Sequence, residues 1–275
     1  MSFVSSVVPP VERSGPAWWF IFENDELLVT LHEDTAQIPC LPDSNPFALN
    51  PMRTQYLGLL DDKPCYAAEV AAQTAVAPEG MAFRALRALF DLMPEDLFWR
   101  AARAFQIMDW DRTHQYCSRC GQPAHKSTED RSKVCPACGL TMYPRIAPAI
   151  IVAVVKGREL LLAHSSRFPQ GLYSVIAGFV EPGETFEECV RREVKEEVGI
   201  EVTDIQYFKS QPWPFPHSIM VAFTAKYAGG EICADGVEVT EAGWFPADKL
   251  PQGPMRISVA RKLIDWFVEN DRAKE

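Results

Sequence analysis

No run of about 18 consecutive apolar residues occurs in this sequence, so no membrane-spanning helix is expected. The opening stretch, MSFVSSVVPPVERSGPAWWF, has neither the basic start nor the apolar run of an export signal. Cations are in short supply, with 27 Lys and Arg against 37 Asp and Glu and a net charge of -10. That balance excludes broad electrostatic binding to nucleic acid or an anionic bilayer, which needs clustered Lys and Arg, but leaves room for a local basic pocket. There is no G-x-G-x-x-G after a strand and no P-loop, so neither a dinucleotide redox fold nor a triphosphate cradle is expected. Repeats, low-complexity tracts and long linkers are also missing from the sequence pattern.

What is present suits a globular protein. The 275 residues, 47% hydrophobic and 23% charged, are enough for two domains or one large one with a buried core. Of eight cysteines, four lie in C-x-x-C pairs and four are single, at Cys40, Cys65, Cys189 and Cys233. Without an export signal a disulfide framework is not expected, and the chain reads as soluble and cytoplasmic.

Residues 1–110 read as a domain of their own. WWFIFENDELLVT and TQYLGLLDDKPCYAAEV are each a strand, a turn and a second strand, with Asn24-Asp25 and Asp61-Asp62 at the turns. The Pro- and Asp-rich stretch from Ile38 to Pro51 reads as loop, and Phe83 to about Met108 as helix broken near Pro94. Arg84 and Arg87 on that helix are candidates to reach a phosphate, although helix-surface arginines are commonly just solvated.

Residues 111–143 carry Cys117-x-x-Cys120, fourteen residues, then Cys135-x-x-Cys138. Two such knuckles predict a tetrahedral thiolate site for zinc, although the spacing is one residue short of the usual range. Gly121 and Gly139 follow the knuckles and allow the tight turn around sulfur. Four cysteines make a closed, structural site, and no aromatic platform for nucleic acid accompanies it.

Residues 144–275 change to an α/β pattern. IAPAIIVAVVK reads as a strand buried on both faces, ELLLAHS and LYSVIAGFV as further strands, and IEVTDIQYFKSQPW with SIMVAFTAKY as a pair around a proline-stiffened loop. EAGWFP is a short strand and SVARKLIDWFVEN an amphipathic closing helix. Between them, Thr185 with Glu188 forms a capping box and Gly199 suits a left-handed cap, predicting a helix from about Phe186 to Val198. At 100° per residue, Phe186, Val190, Glu193 and Glu197 share one stripe, with Cys189, Val194 and Glu196 beside it. A core-facing stripe thus turns into carboxylates. Like charges at i,i+4 destabilise a helix by roughly 0.2–0.5 kcal/mol per pair, and burying them costs more unless a cation neutralises them. A divalent cation with oxygen ligands accounts for this better than a solvated charge run.

Gly178, Glu184, Arg192-Glu193-Val194, Glu196-Glu197 and Gly199-Ile200 resemble the Nudix box at every defined position. Beyond it, Ser210-Gln-Pro-Trp-Pro-Phe-Pro-His-Ser218 is similar to the array of the NADH pyrophosphatase branch, which also carries a small N-terminal domain and a four-cysteine ribbon. This resemblance implies an α/β fold, the Nudix α/β/α sandwich with a mixed sheet, preceded by a zinc ribbon and a small α+β N-terminal domain. It implies metal-dependent hydrolysis of the diphosphate of NADH or NAD⁺ to nicotinamide mononucleotide and AMP, and removal of NAD caps from RNA 5′ ends. Within it, NAD is a substrate to be cut.

Carried onto this sequence, the resemblance implies zinc at Cys117, Cys120, Cys135 and Cys138, and Mg²⁺ or Mn²⁺ at Glu193, Glu196, Glu197, the Ala177 backbone and Glu238, with Glu241 as the alternative to Glu238. Glu193, Glu196 and Glu197 are the catalytic candidates, and Glu196 is either a third ligand or the water-activating base. Arg192 is expected to orient a carboxylate, with Glu184 structural. Substrate contacts fall to Tyr143, Phe179, Gln211, Pro212, Trp213, Pro214, Phe215, Pro216, His217, Ser218 and Ala260, with Arg87 added as a possible phosphate contact. His217 fills the family's variable position and is given no catalytic role. Tyr143 and Phe179 suit stacking on a flat base, and both are also residue types that a core takes. A homodimer is implied, and no membrane partner. The alternatives are another nucleoside diphosphate derivative as substrate, such as ADP-ribose or a dinucleoside polyphosphate, or a non-catalytic nucleotide sensor on a zinc-ribbon scaffold.

Overall fold

The structure is a computed structural model that describes residues 2–10, 15–41, 49–72 and 76–273. The chain forms two compact units, 1–145 and 146–275. Among the described residues, no helix is long and apolar enough to cross a membrane.

The first unit is built on strands β1 (Phe3–Ser5), β2 (Ala17–Glu23), β3 (Glu26–His32), β4 (Thr35–Gln37), β5 (Cys40–Leu41), β6 (Arg53–Leu60), β7 (Lys63–Glu69) and β8 (Met81–Ala85). The two hairpins expected from the sequence are present. Asn24, Asp61 and Asp62 take positive φ at their turns, a conformation that short polar side chains tolerate. Trp19 stacks on Tyr66 with ring centroids 4.8 Å apart in the core on one face. Helix α1 (Glu95–Thr113) covers the other face, where Phe105 meets Phe22 edge-on. The helix expected from Phe83 is corrected. Phe83 to Ala85 are the end of β8, and Leu86–Leu92 forms a 3-10 segment. Cross-strand pairing with β3, from Glu26↔Ala85 to Thr30↔Met81, overrides the local helical spacing. Of the expected Ile38–Pro51 loop, Cys40 and Leu41 pair with β2, and residues 42–48 lie outside the described residues. The ribbon adds β9 (His125–Lys126), β10 (Lys133–Val134) and β11 (Thr141–Met142) in one small sheet.

The second unit holds β12 (Ala147–Lys156), β13 (Glu159–Ser165), β14 (Ile176–Phe179), helix α2 (Phe186–Val198), β15 (Glu201–Trp213), β16 (Ser218–Gly229), β17 (Val239–Pro246) and helix α3 (Val259–Arg272). Its sheet is mixed. β12 runs parallel to β16, while its pairings with β13 and β14 are antiparallel. Along β12, Ile150, Val152 and Val154 pack under α2, and Ile151 and Ala153 under α3, so the strand is buried on both faces as its composition predicted. Burying Val190, Val194 and Val198 of α2 contributes roughly 1.5–3 kcal/mol each.

The two units repeat one topology, although the sequence pattern showed no repeat. In each, a parallel pair (β2–β7, β12–β16) carries an antiparallel hairpin partner (β3, β13), a strand added to the first (β5, β14), one beside the parallel partner (β6, β15) and one beside the hairpin partner (β8, β17). Each then closes with a helix.

Candidate active site and zinc centre

The cysteines of the ribbon come together as their spacing predicts. Cys117 and Cys138 sulfurs are 3.5 Å apart, as are those of Cys120 and Cys135, and all four lie within 4.8 Å of one another. A tetrahedron of Zn–S bonds near 2.3 Å spaces its sulfurs in this range, so the donor set fits zinc. The knuckles are built alike: Gly121 N–H donates to Cys117 O and Gly139 N–H to Cys135 O, each at 2.9 Å. Both glycines sit at φ 73°, where a Cβ would be strained. Among the described residues this is the one cluster of His, Cys, Asp or Glu gathered to ligand distance.

The carboxylate site begins at α2. Thr185 Oγ1 accepts from Glu188 N–H while Glu188 bonds back to Thr185 N–H, and Gly199 closes the helix at φ 74°. The helix lays Val190 and Val194 into the core and places Glu197 beside them, only 9% exposed. Glu193 lies against β14, where a Cβ on Gly178 would fall 1.9 Å from its carboxyl carbon. Gly178 therefore serves close approach.

Arg192 organises the surrounding acids. Its Nη2 donates to Glu184 at 2.9 Å and to Phe179 O at 2.9 Å, and its Nη1 to Glu193 at 2.9 Å and Glu196 at 3.0 Å. This guanidinium holds Glu184 down to about 2. Glu184 in turn accepts from Glu181 N–H, fastening the turn after Phe179. Glu196 stays outside, with 60% of its side chain exposed.

Glu197 is pushed up to about 8, first by burial, then by repulsion from Glu193, Glu238, Asp235 and Glu196. Burial also raises Glu193. A buried acid among like charges, beside a glycine-made cradle, is a donor set of hard oxygens suited to a divalent cation. Of the two downstream candidates, Glu238 belongs to this field, whereas Glu241 accepts from Tyr173 Oη at 2.5 Å. Asp235 was missed by sequence reasoning. Its carboxylate accepts from the N–H groups of Val237, Glu238 and Val239, and its own N–H donates to Glu197 O, which fixes the loop carrying Glu238. The signal was an Asp-Gly turn start just ahead of Glu238.

The proposed substrate residues distribute unevenly. Ala177 and Phe179 lie on β14, paired with Ile151 and Ala149, and Phe179 is 60% exposed. Trp213 ends β15 and meets the Phe215 ring edge-on at 5.1 Å. Pro214 to His217 form the turn, and Ser218 opens β16. The resemblance made Gln211 a substrate contact. It is instead buried, donating to Ile257 O at 2.8 Å and accepting from Val259 N–H at 2.7 Å, so it holds the start of α3. Ala260 is buried in the first turn of that helix. Tyr143, exposed, and Arg87, on the 3-10 segment, belong to the first unit.

Comparison with known proteins agrees with this architecture. Residues 144–267 match the NUDIX domain, residues 16–110 the NADH pyrophosphatase-like rudimentary NUDIX domain, and residues 112–143 the NADH pyrophosphatase zinc ribbon domain. The match to a rudimentary NUDIX domain accords with the topology repeated in the first unit. The chain is 42% identical over 259 residues to the NAD-capped RNA hydrolase NudC of Deinococcus radiodurans, covering 93% of this chain and 89% of the relative. It is 44% identical over 250 residues to the protein of that name in Chromobacterium violaceum, covering 90% and 91%. A Nudix hydrolase structure from Nitrosomonas europaea, 22% identical, superposes with a TM-score of 0.51 over 58% of this chain and 94% of that one, a likeness of fold. The chain belongs to the Nudix hydrolases, in the branch that joins a rudimentary Nudix domain, a zinc ribbon and a Nudix domain.

Proposed function

We propose that this protein hydrolyses the diphosphate of NADH and NAD⁺ to nicotinamide mononucleotide and AMP, and removes NAD caps from RNA 5′ ends. The observation that carries the hydrolase reading is Glu197, buried beside the glycine-cradled Glu193 and repelled by Glu238 and Asp235. The names of its relatives support the substrate. Glu193, Glu197, Glu238 and the Ala177 backbone would hold Mg²⁺ or Mn²⁺, which would supply charge neutralisation at the phosphoryl oxygens and a lowered pKa for the attacking water. Glu196, open to solvent, accepts the proton of that water as its oxygen bonds to phosphorus and the bridging P–O bond breaks. Arg192 positions Glu193 and Glu196 without touching substrate.

Phe179 stacks on a flat ring of the substrate, the loop from Pro212 to Ser218 shapes the pocket, and Gln211 fixes the α3 start where Ala260 lies. Tyr143 and Arg87 are further substrate-contact candidates. Zinc at Cys117, Cys120, Cys135 and Cys138 is structural. The modules are 1–110, 111–143 and 144–275, in a cytoplasmic homodimer.

Incubating the protein with NADH, NAD⁺, ADP-ribose and dinucleoside polyphosphates in Mg²⁺ or Mn²⁺, and separating the products, tests the reading. AMP should form fastest from NADH or NAD⁺, and Glu197→Gln should lower the rate at least 100-fold while leaving the fold intact. Equal rates for wild type and variant would refute the site.

A further inference from the structure

We propose that Arg100, Arg103 and Arg131 form a phosphate-binding site in the first unit that takes the phosphodiester chain of an RNA substrate. The RNA assignment rests on the cap-removal reading above. The three guanidiniums gather along β1. Arg100 and Arg103, one turn apart on α1, lie over the Phe3 ring with Cζ at 4.8 and 5.2 Å from its centroid. Arg103 Nη2 donates to Ser5 Oγ at 3.1 Å, and Arg131 Nη2 to Ser6 O and Tyr56 O, each at 3.1 Å.

Among the described residues, none of the three pairs with a carboxylate. Arg53, Arg112, Arg158, Arg192 and Arg261 all do. Arg100 Nε is buried without a hydrogen-bond partner. Partial burial holds Arg131 below the usual arginine range, and the neighbouring guanidinium of Arg103, itself exposed, adds to this. Like charges that are partly desolvated and left unpaired cost stability unless an anion completes the group. The planar guanidinium fork matches two phosphate oxygens, and the bonds above engage only Nη2 of Arg103 and of Arg131.

Arg131 also lines a cavity of about 330 Å³ with Lys126, Ser127 and Ser132. Its one acidic lining residue, Asp130, accepts from Ser132 Oγ. A single free phosphate engages one fork. Several forks gathered along one strand suit successive phosphates of a chain. With a net charge of -10 overall, the footprint is confined to this cluster.

The test uses the full-length protein and a 5′-monophosphorylated single-stranded RNA that has no NAD cap, with binding read by fluorescence anisotropy across salt concentrations. Arg100→Gln/Arg103→Gln should weaken binding about 10-fold at low salt and flatten the slope of log K against log salt by about 1.4, at roughly 0.7 for each phosphate no longer neutralised. The same variant should lower kcat/KM for NAD-capped RNA by a similar factor and leave that for free NADH within twofold. The double lysine variant should retain most of the binding. If the glutamine pair does not fold, Arg100→Gln and Arg103→Gln singly should each remove about half of the slope change. Unchanged RNA affinity and slope overturns the proposal. A melting-temperature rise with inorganic phosphate that depends on these arginines, with RNA affinity indifferent to them, also overturns it, by assigning the site to a small free anion. Loss of NADH hydrolysis in the wild type would strike the diphosphatase reading alone, because uncapped RNA binding is read independently.

Discussion

At Gly178 a hydrogen in place of a methyl group decides where a carboxylate sits. A Cβ there would fall 1.9 Å from the carboxyl carbon of Glu193, so Gly178→Ala must displace that acid from β14. A shift of about 1 Å in a positioned group costs on the order of 100-fold in rate. We therefore expect kcat for NADH to fall about 100-fold, with circular dichroism unchanged. Glu197 offers a second residue-scale test. Its carboxyl, held near 8, is mostly protonated at pH 7, whereas a metal ligand is ionised. Adding Mg²⁺ at pH 7 should therefore release close to one proton, and the apparent metal affinity should rise with pH up to about 8 and level off above it. Calorimetry in buffers of different ionisation enthalpy measures the proton. Buffer-independent heats would contradict the assignment.

Among the elements, β15, its proline-rich turn and α3 act together through one side chain. Gln211 bonds to Ile257 O and Val259 N–H, where the helix would otherwise begin with an unmet donor. Gln211→Ala leaves both backbone groups buried without that partner, at a cost of about 1–3 kcal/mol. Because the loop and the α3 start then lose their common anchor, KM for NADH should rise more than kcat falls, as steady-state kinetics and thermal melting together would show. Helix α2 depends less on such remote ties, since its capping box and left-handed glycine are supplied within its own sequence.

For the molecule as a whole, one topology serves two units, and the carboxylate helix is found between β14 and β15 of the second. The zinc ribbon is tied into the first unit by Lys133, 2% exposed, whose Nζ donates to Asp111 at 2.5 Å and to the Asp111 carbonyl at 2.9 Å. Gln55 and Lys126 also reach the Asp111 carboxylate. Asp111→Ala leaves Lys133 as a buried unpaired charge and should cost roughly 3–5 kcal/mol. Hydrogen exchange should then show weaker protection in β9, β10 and the last turn of α1. A variant with unchanged exchange and melting would mean that zinc alone holds the ribbon in place.

The sequence by itself determined what short-range physics controls. The paired hairpins at Asn24-Asp25 and Asp61-Asp62, the cysteine knuckles and the bounds of α2 all follow from neighbours within about five residues, through turn chemistry, ligand spacing and capping. The carboxylate stripe was legible for the same reason, since helical periodicity places Glu193 and Glu197 on the core side. Only the tertiary structure decided matters set by partners far along the chain. It turned Phe83–Ala85 into strand through pairing with β3, engaged Gln211 with the start of α3, and placed Glu238 rather than Glu241 in the field of Glu197. It likewise revealed a repeated topology that shares no visible sequence period, and three arginines gathered from α1 and the ribbon around β1. Strand register and side-chain convergence depend on contacts across tens of residues, and local propensity carries no record of them.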